Sequence, residues 1–303
     1  MKIFITGATG FIGQHLTASL LEKGHELVGW GPHPDKLAPC DRLILKKGDL
    51  ADASSEAQRN LQAAMAGAEA VVHLAAKTSE RAADAKAMRG VNVKGTERLL
   101  ASAKKNKVKK FVLVSSQSTK VSKPGNYGAT KKEAEQAVLA SGLDAVILRP
   151  AIVYGPGSAG LFKKFVELVR KFPVIPVPQT NTTFQPVFVS DVVDAIVKAL
   201  ESGGGRTSIY DVAGPDAVTF SGLIRQVAKA QGLVRFLIPI PLGLMMMAAR
   251  ILSKITSNPP VTPDNLIGLT EVTSIDLNPL KRDLHVDPLG LKEGLHKTFG
   301  VAH

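Results

Sequence analysis

The sequence predicts an α/β protein with a doubly wound parallel sheet and a smaller C-terminal domain. Short apolar runs alternate with helix-length segments through the first half of the chain, and the connections between them are short. The runs are apolar at successive positions, which is typical of parallel strands covered by helices on both faces. With 303 residues, 45% of them hydrophobic, the chain is long enough to bury such a sheet.

The first element combines a strand, a glycine-rich turn and a helix. The strand at 2–6 is followed by Gly7, Gly10 and Gly13, and a helix is predicted at about 11–23. In such a unit the first glycine permits a sharp turn, the second lets a pyrophosphate approach the backbone, and the third lets the helix pack closely on the sheet. Phosphates would lie on the free N–H groups of the first helical turn. The stretch therefore predicts a Rossmann-type dinucleotide site, although a glycine-rich turn without a ligand has the same spacing.

The later elements of the first half repeat this strand and helix alternation. Strands are predicted at 26–30, 43–47, 70–74, 111–115 and 145–148, and helices near 54–66, 92–105 and 128–140. Ligands of such sheets bind at the carboxyl ends of the strands. The residues that follow each strand are therefore the candidates for a site.

Two polar residues at these strand ends have more than one interpretation. Asp49, after the third strand, can accept a hydrogen bond from an adenine amino group or cap a turn. His73, which closes the fourth strand, fits a hydrogen-bonded core histidine better than an acid or base. Neither residue defines a site by itself.

Tyr127 and Lys131 are the catalytic candidates because they lie four residues apart at the start of a predicted helix. At this spacing both side chains share one helix face, where the lysine cation favours the phenolate. Such a tyrosine can exchange a proton with a hydroxyl or carbonyl near neutral pH, which a phenol with a pKa near ~10 does poorly. A lysine-rich chain also produces such pairs by chance, so a surface pair is the alternative. The other tyrosines, Tyr154 and Tyr210, have no lysine at this spacing.

Seven segments in order resemble an extended short-chain dehydrogenase/reductase of the NAD-dependent epimerase/dehydratase type. Between residues 3 and 157 they read TGATGFIG, GDL, HLAA, VNVKGTERLL, FVLVSSQS, YGATKKEAE and LRPAIVYGPG. The resemblance implies an NAD(P)-dependent oxidoreductase or epimerase that acts on a secondary alcohol or carbonyl. Ser116 would hydrogen-bond the reacting oxygen, and Tyr127 would transfer the proton. Lys131 would hold the nicotinamide ribose and lower the tyrosine pKa.

The resemblance also implies a set of cofactor-binding residues at the strand ends. Asp49 and Leu50 would flank the adenine, Ala75 would line the nicotinamide ribose, and Asn92 would be a structural or relay residue. The full set comprises Gly7, Thr9, Gly10, Phe11, Ile12, Gly13, His33, Asp49, Leu50, Leu74, Ala75, Ala76, Asn92, Tyr127, Lys131, Pro150, Ile152 and Val153. No metal site is predicted.

Two departures from the family pattern limit the assignment. The loop between Ser116 and Tyr127 is short, which disfavours a dehydratase because little room is left for an added acid and base. After the second strand, neither an acidic residue for the adenosine ribose nor an arginine for a 2′-phosphate is in place. His33 and Lys36 can meet a phosphate there. The choice between NAD and NADP is therefore open.

The resemblance divides the chain into a dinucleotide-binding domain, 1–151 with a return segment at 187–212, and a mainly substrate-binding domain, 152–303. Further elements are predicted at 161–172 and 174–178, and Ser190 is the expected N-cap of a helix at 191–201. The segment from Gln185 to Asp191 is similar to the branch that contains the accessory NAD(P)-binding subunit of complex I. A cofactor-holding assembly or scaffold protein is therefore the second functional hypothesis.

The apolar stretch at 236–252 has three interpretations. Pro239 and Pro241 prevent one continuous helix, and a mostly covered helix is expected from about Leu244 onward. A core helix over the substrate cleft is the leading interpretation. A wall for an apolar substrate and a shallow contact with a membrane surface are the alternatives.

Composition restricts the classes of binding partner and the cellular location of the protein. The formal net charge is +12, and the densest run of lysines lies at 104–110, where cations complement a helix end. No aromatic residue is interleaved there, which disfavours a nucleic-acid surface. One cysteine, Cys40, and the absence of a secretory signal pattern or an apolar stretch of ~18 residues favour a cytoplasmic protein without a spanning helix. A small-molecule substrate is expected, and the family resemblance implies a homodimer paired through the helices that bear the tyrosine.

Overall fold

The computed structural model describes residues 1–78, 84–122, 124–203, 205, 207–256 and 275–300. The chain divides into two compact units. The first comprises Met1–Pro150, Val189–Val212 and Asn278–Asp287, and the second comprises Ala151–Phe188, Ala213–Leu277 and Pro288–His303.

The strands and helices have the following bounds in the described residues. The strands are β1 (Lys2–Thr6), β2 (Glu26–Gly31), β3 (Leu43–Lys47), β4 (Ala70–His73), β5 (Lys110–Val114), β6 (Ala145–Pro150), β7 (Val153–Tyr154), β8 (Val174–Pro178), β9 (Thr183–Phe184), β10 (Val187–Phe188), β11 (Ser208–Val212), β12 (Val218–Thr219) and β13 (Phe236–Ile240). The α-helices are α1 (Phe11–Glu22), α2 (Ser55–Ala64), α3 (Ala85–Arg89), α4 (Thr96–Lys105), α5 (Asn126–Leu139), α6 (Gly160–Lys171), α7 (Val189–Glu201), α8 (Phe220–Ala230), α9 (Leu242–Ile255), α10 (Asn278–Leu284) and α11 (Leu291–Phe299).

The first unit is built on a parallel sheet, which has seven strands in the described part of the chain, in the order β11-β6-β5-β4-β1-β2-β3. Strand order reverses on either side of β1, so the switch point lies between β1 and β4, where the carboxyl ends of the strands leave a crevice. The predicted doubly wound Rossmann-type sheet is confirmed. Most observed bounds lie within about two residues of the predicted ones, a difference expected at element ends.

The core of the first unit explains why its strands are apolar throughout. Phe4 and Trp30, on neighbouring strands, lie with ring centroids 6.2 Å apart, and Phe111 is fully buried beside them in the same cluster. Leu61 and Leu99, on α2 and α4, pack against the same cluster. Helices therefore cover the sheet with apolar side chains.

Two local predictions in this unit need correction. The helix expected at 92–105 begins as a π-helical segment, Gly90–Gly95, and becomes α-helical only at Thr96. A side chain at Gly95 would collide with Leu50, 2.9 Å away, so close packing accompanies this widened turn. Ser190 is not the N-cap of α7, because β10 runs directly into a helix that begins at Val189, and Ser190 lies in its first turn.

The second unit contains short two-stranded ribbons and helices around its own core. Strand β7 pairs in parallel with β10, β8 pairs in parallel with β13, and β9 pairs antiparallel with β12. Tyr154 is fully buried, and its ring centroid lies 5.4 Å from that of Phe162 and 5.5 Å from that of Phe188. These aromatic contacts hold α6 against the strands that follow β6.

The apolar stretch at 236–252 forms strand β13 and most of helix α9, which meet at Pro241, as the two prolines predicted. The expectation of a mostly covered core helix is wrong, because Leu244, Met247 and Ile255 of α9 are exposed. Among the described residues, no helix has the length and apolar character needed to cross a bilayer.

Candidate active site

The turn between β1 and α1 has the geometry of a phosphate-binding turn. Gly7 has a φ of +77°, and a Cβ atom there would lie 2.8 Å from the backbone nitrogen of Ala75. A Cβ atom at Gly13 would collide with the carbonyl oxygen of Gly7. Gly10 is the N-cap of α1 and supplies no capping side chain, and the first turn has no acidic residue. The free N–H groups and the positive end of the helix dipole are thus available to an anion, so these residues fit a dinucleotide pyrophosphate.

The remaining cofactor candidates of the first unit lie at the carboxyl edge of the sheet. Thr9, Phe11 and Ile12 belong to the glycine turn and the start of α1, and all three are partly exposed. Leu74, Ala75 and Ala76 follow β4 directly and are also partly exposed. Pro150 ends β6 and is buried. His33 is exposed next to a 3-10 turn, Pro34–Lys36, that follows β2.

Asp49 and Leu50 have different environments although they are neighbours. Asp49 is exposed, and its Oδ1 accepts a hydrogen bond of 2.8 Å from the backbone N–H of Ala51, so it caps a turn. Leu50 is buried, and its side chain belongs to the core cluster that contains Trp30. One carboxylate oxygen of Asp49 therefore has a structural role, while Leu50 can face a cofactor only with its backbone or the edge of its side chain.

Ile152 and Val153 belong to the second unit. Ile152 packs against the core cluster around Tyr154, and its carbonyl oxygen accepts a hydrogen bond of 2.9 Å from the backbone N–H of Val187. Val153 pairs with Val187 in the β7–β10 ribbon. Both residues are thus held by the strands of that unit.

Ser116 lies two residues after the end of β5, directly before a 3-10 turn, and Ser118 orients its hydroxyl. The Ser116 Oγ accepts hydrogen bonds from the backbone N–H of Ser118, at 3.2 Å, and from the Ser118 hydroxyl, at 3.0 Å. An oxygen that accepts two hydrogen bonds still has its own proton to donate. Ser116 can therefore donate to a substrate oxygen, and the sequence had not indicated Ser118 as its orienting partner.

Gln117, next to Ser116 in the chain, has a side-chain oxygen that accepts no hydrogen bond from the described residues. Its Nε2 donates a hydrogen bond of 2.9 Å to the carbonyl oxygen of Arg149, while its Oε1 is buried without a partner among the described residues. A buried acceptor of this kind is costly unless a ligand or water completes it. The sequence had given no signal for this residue.

Tyr127 and Lys131 lie on α5, which begins at Asn126. The loop that carries Ser116 packs against this helix start, because a Cβ atom at Gly128 would lie only 2.5 Å from the carbonyl oxygen of Ser118. Lys131 is buried and its Nζ donates a hydrogen bond of 2.8 Å to the carbonyl oxygen of Val114. The start of α5 therefore packs against the loop after β5, and Lys131 contacts the last residue of that strand.

Burial sets the protonation of both groups. It raises the pKa of the half-buried Tyr127 phenol to about 12, because the phenolate would lose its hydration. Burial also lowers the pKa of Lys131 to about 8, although the nearby charge of Glu135 acts in the opposite direction. The resemblance implied a lowered tyrosine pKa, whereas in the protein alone the pKa is raised. Desolvation of the phenolate therefore outweighs any stabilisation by Lys131.

An ion pair between the buried Glu135 and the partly exposed Arg149 begins one helical turn beyond Lys131. Glu135 accepts hydrogen bonds from Arg149 Nε at 2.9 Å, from Arg149 Nη2 at 2.6 Å and from the Ser115 hydroxyl at 2.5 Å. Glu135 is 3% exposed, so this network fixes α5 to the ends of β5 and β6. This network was not predicted from the sequence. The spacing of four residues between Lys131 and Glu135 could have indicated that Glu135 lies on the same helix face as the catalytic candidates.

His73 is a hydrogen-bonded core histidine, which was the favoured interpretation. Its Nδ1 lies 2.6 Å from the Thr6 hydroxyl and its Nε2 lies 2.9 Å from the Thr96 hydroxyl, which donates to the carbonyl oxygen of Asn92. Burial, with a smaller contribution from the Lys131 charge, lowers the pKa of His73 to about 3. The imidazole is therefore neutral and bridges β1 to the helix that follows Asn92.

Asn92 continues this network towards the catalytic helix. Its Oδ1 accepts from the backbone N–H of Lys77 at 2.8 Å, and its Nδ2 donates to the Thr130 hydroxyl at 3.1 Å. Thr130 in turn donates to the backbone carbonyl oxygen of Tyr127 at 2.9 Å. Asn92 thus positions backbone near both the β4 loop and the start of α5.

Comparison with known proteins agrees with this geometry. The model of the NAD dependent epimerase/dehydratase family matches residues 3–213. A ceramide reductase of Caulobacter vibrioides is 30% identical over 99% of this chain and 90% of its own length, and a UDP-glucose 4-epimerase of Vibrio cholerae is 27% identical over 98% and 94%. Subunit 9 of the NADH dehydrogenase [ubiquinone] 1 alpha subcomplex of Arabidopsis thaliana is 30% identical over 95% of this chain and 74% of its own length.

Solved structures show the same fold. The structure of MoeE5 in complex with UDP-glucose and NAD has a TM-score of 0.77 at 24% identity, and the match covers 99% of this chain and 98% of that one. The UDP-glucose 4-epimerase of Thermotoga maritima with UDP-glucose also has a TM-score of 0.77, at 23% identity over 99% and 98%. At these identities the likeness concerns the fold.

Proposed function

We propose that this chain, which belongs to the NAD dependent epimerase/dehydratase family, reduces the ketone of a lipid-like substrate to a secondary alcohol. Its membership makes it an NAD(P)-dependent enzyme of the short-chain dehydrogenase/reductase type, in agreement with the resemblance seen in the sequence. The observation that carries the proposal is the packing of the loop after β5, which contains Ser116, against the start of α5, the helix that contains Tyr127 and Lys131. Burial raises the pKa of Tyr127 to about 12, so the phenol is protonated at neutral pH, and a developing alkoxide, which is a stronger base still, can take its proton.

The residues of the chain would divide the work as follows. The Ser116 hydroxyl donates a hydrogen bond to the carbonyl oxygen and stabilises the negative charge that develops there. Tyr127 transfers its phenolic proton to that oxygen, which completes the alcohol and leaves a phenolate. The Lys131 cation, fixed on the carbonyl oxygen of Val114, stabilises the phenolate.

The cofactor would be held by the first unit. The glycine turn and the start of α1 fit the pyrophosphate, and Lys131 with the loop at Leu74–Ala76 is expected at the nicotinamide ribose. When bound, the nicotinamide ring supplies the hydride. Asp49 is the candidate for the adenine, and His33 and Lys36, both exposed after β2, are the candidates for a 2′-phosphate.

One relative supports a lipid-like ketone as the substrate class, and the length of one loop disfavours a dehydratase. The ceramide reductase is a full-length relative with 30% identity, and its name describes reduction of a lipid. The segment between Ser116 and Tyr127 is short, which leaves little room for the added acid and base of a dehydratase.

Two other functions have specific support. Epimerisation of a nucleotide sugar is the second candidate, because the UDP-glucose 4-epimerase of Vibrio cholerae is 27% identical over nearly its whole length. A cofactor-holding assembly protein is the third, because the Arabidopsis subunit is 30% identical over most of this chain. The intact set of Ser116, Tyr127 and Lys131 favours catalysis over a purely structural role.

A substrate comparison with the purified chain tests the proposal. Oxidation of NADH or NADPH is followed by absorbance with a long-chain β-keto lipid, with a short-chain β-ketone of the same head group as the matched control, and with UDP-glucose. Faster turnover of the long-chain ketone is expected. Interconversion of UDP-glucose and UDP-galactose without net oxidation of the cofactor would instead establish the epimerase.

Three further expectations are proposals of the same kind. Parallel titrations with NADH and NADPH, and with a Lys36→Glu variant, decide which cofactor is preferred. Light scattering on the purified chain decides whether copies pair through α5. A cytoplasmic location rests on the single cysteine, Cys40, which is exposed and free.

A further inference from the structure

Helix α9 is apolar on the side that faces solvent. Its exposed residues Leu244, Met247, Ile251 and Ile255 recur at spacings of three and four and are 54%, 57%, 52% and 76% exposed, while Ala249 on the other side is 3% exposed. A surface helix of a globular protein normally has the reverse pattern, with polar residues outward. The exposed stripe therefore has no structural role within the described chain.

The ribbon of β8 and β13, which leads into α9, has a second apolar surface. Ile175 and Val177 of β8 are buried in the core of the second unit, so their neighbours along the strand point the opposite way. On that outer face Val174 pairs with Phe236, and they are 45% and 68% exposed; Ile238 follows at 51%. Large aromatic and branched side chains are thus presented to solvent on both consecutive elements, β13 and α9.

The segment that contains β13 and α9 has basic residues and no acidic ones. Residues 217–263 contain five basic residues and no acidic residue. Arg250 is exposed at the margin of the α9 stripe, and Lys171, exposed at the end of α6, lies with its Nζ 5.5 Å from the ring centroid of Phe172, which is 43% exposed. Cations beside exposed aromatic and aliphatic side chains are typical of elements that lie in the headgroup region of a bilayer.

We propose that the exposed stripe of α9, with the outer face of the β8–β13 ribbon, docks the protein on the surface of an anionic lipid bilayer. The apolar side chains would enter the boundary between headgroups and acyl chains, and Arg250 and Lys171 would remain among the anionic headgroups. A second copy of the chain fits less well, because self-pairing of this surface would bring its cations together without an acidic residue on these elements to compensate them. This inference does not depend on the substrate proposed above.

Co-sedimentation with vesicles tests the surface. Wild-type protein is expected to bind vesicles of phosphatidylcholine with phosphatidylglycerol, and to bind phosphatidylcholine alone more weakly. The double variant Met247→Gln/Ile251→Gln should weaken partitioning at least about tenfold, because it removes two inserted apolar side chains. Arg250→Gln should weaken binding to the anionic vesicles about fivefold and leave binding to neutral vesicles unchanged.

Matched variants separate docking from folding. Met247→Leu/Ile251→Leu keeps the stripe apolar and should retain binding, and Ile209→Gln changes an isoleucine that is 37% exposed on β11 and should also retain it. Unchanged thermal unfolding shows that the glutamine variants fold. The proposal is overturned if wild-type protein does not sediment with anionic vesicles, if the double variant binds like wild type, or if light scattering shows a dimer that the double variant disrupts without any vesicle binding.

Discussion

The ammonium group of Lys131 donates a hydrogen bond of 2.8 Å to the carbonyl oxygen of Val114, the last residue of β5. This bond joins the helix that carries Tyr127 to the strand that leads into Ser116. Because Lys131 is buried and its pKa is lowered to about 8, its charge is lost as the pH rises through mildly alkaline values. The hydrogen bond to the sheet therefore fixes the position of the lysine, and its burial lowers its pKa.

Removal of the Glu135 carboxylate should shift the pH dependence of turnover. Glu135 raises the pKa of Lys131 against the effect of burial, so Glu135→Gln should lower that pKa. If the lysine cation is required, kcat of the variant should begin to fall at a lower pH than that of wild type. The full pH profile of kcat measures this shift. The control is Glu133→Gln on the same helix as Glu135, which breaks only a surface ion pair with Arg89 of α3 and should leave the profile in place. Equal shifts in both variants would contradict the assignment.

A methyl group at Gly128 should damage catalysis more than stability. The Cβ atom of Gly128→Ala would lie 2.5 Å from the carbonyl oxygen of Ser118, so the loop that orients Ser116 must move. Displacement of catalytic groups by about 1 Å can reduce turnover about 100-fold. Steady-state kinetics and thermal unfolding measure the two effects. Gly243→Ala in α9 has no atom within 4 Å of its new methyl group and should leave kcat unchanged; wild-type kcat in Gly128→Ala would show that the loop position is unimportant.

His73 should make the fold sensitive to acid. Its pKa is about 3 in the folded chain against 6.5 for the ordinary group, so between these values the unfolded state binds more protons. The contribution is fully present above pH 6.5 and is lost as the pH falls towards 3, with a slope of up to about 1.4 kcal/mol per pH unit. Urea unfolding at a series of pH values should show this slope in wild type and a smaller one in His73→Gln. The exposed His33→Gln should behave like wild type, and parallel curves for wild type and His73→Gln would refute the explanation.

The sequence was informative wherever the relevant contacts are local. Alternating strands and helices predicted the sheet, the glycine spacing predicted the turn at Gly7, and the interval of four residues placed Tyr127 and Lys131 on one helix face. These features depend on backbone geometry within one or two elements. The spacing of residues along the chain is therefore enough to predict them.

Contacts between distant segments were not predictable in the same way. The pair of Glu135 and Arg149 joins α5 to β6, and the pKa of Tyr127 depends on burial that no local pattern reports. Ser190 has the residue type of an N-cap, but the strand before it continues directly into α7. Helix α9 has the composition of a core helix, and only its packing shows that its apolar stripe faces solvent.

Turnover of a Tyr127→Phe variant tests the central claim most directly. Loss of the phenolic proton should reduce kcat at least about 100-fold, because proton transfer to the alkoxide then lacks its donor. Binding of the reduced cofactor, followed by fluorescence titration, should change less than about twofold, since Tyr127→Phe keeps the aromatic ring and every other residue of the cofactor-binding set. Tyr210→Phe on β11 is the matched control and should turn over like wild type. Wild-type kcat in Tyr127→Phe would contradict the account.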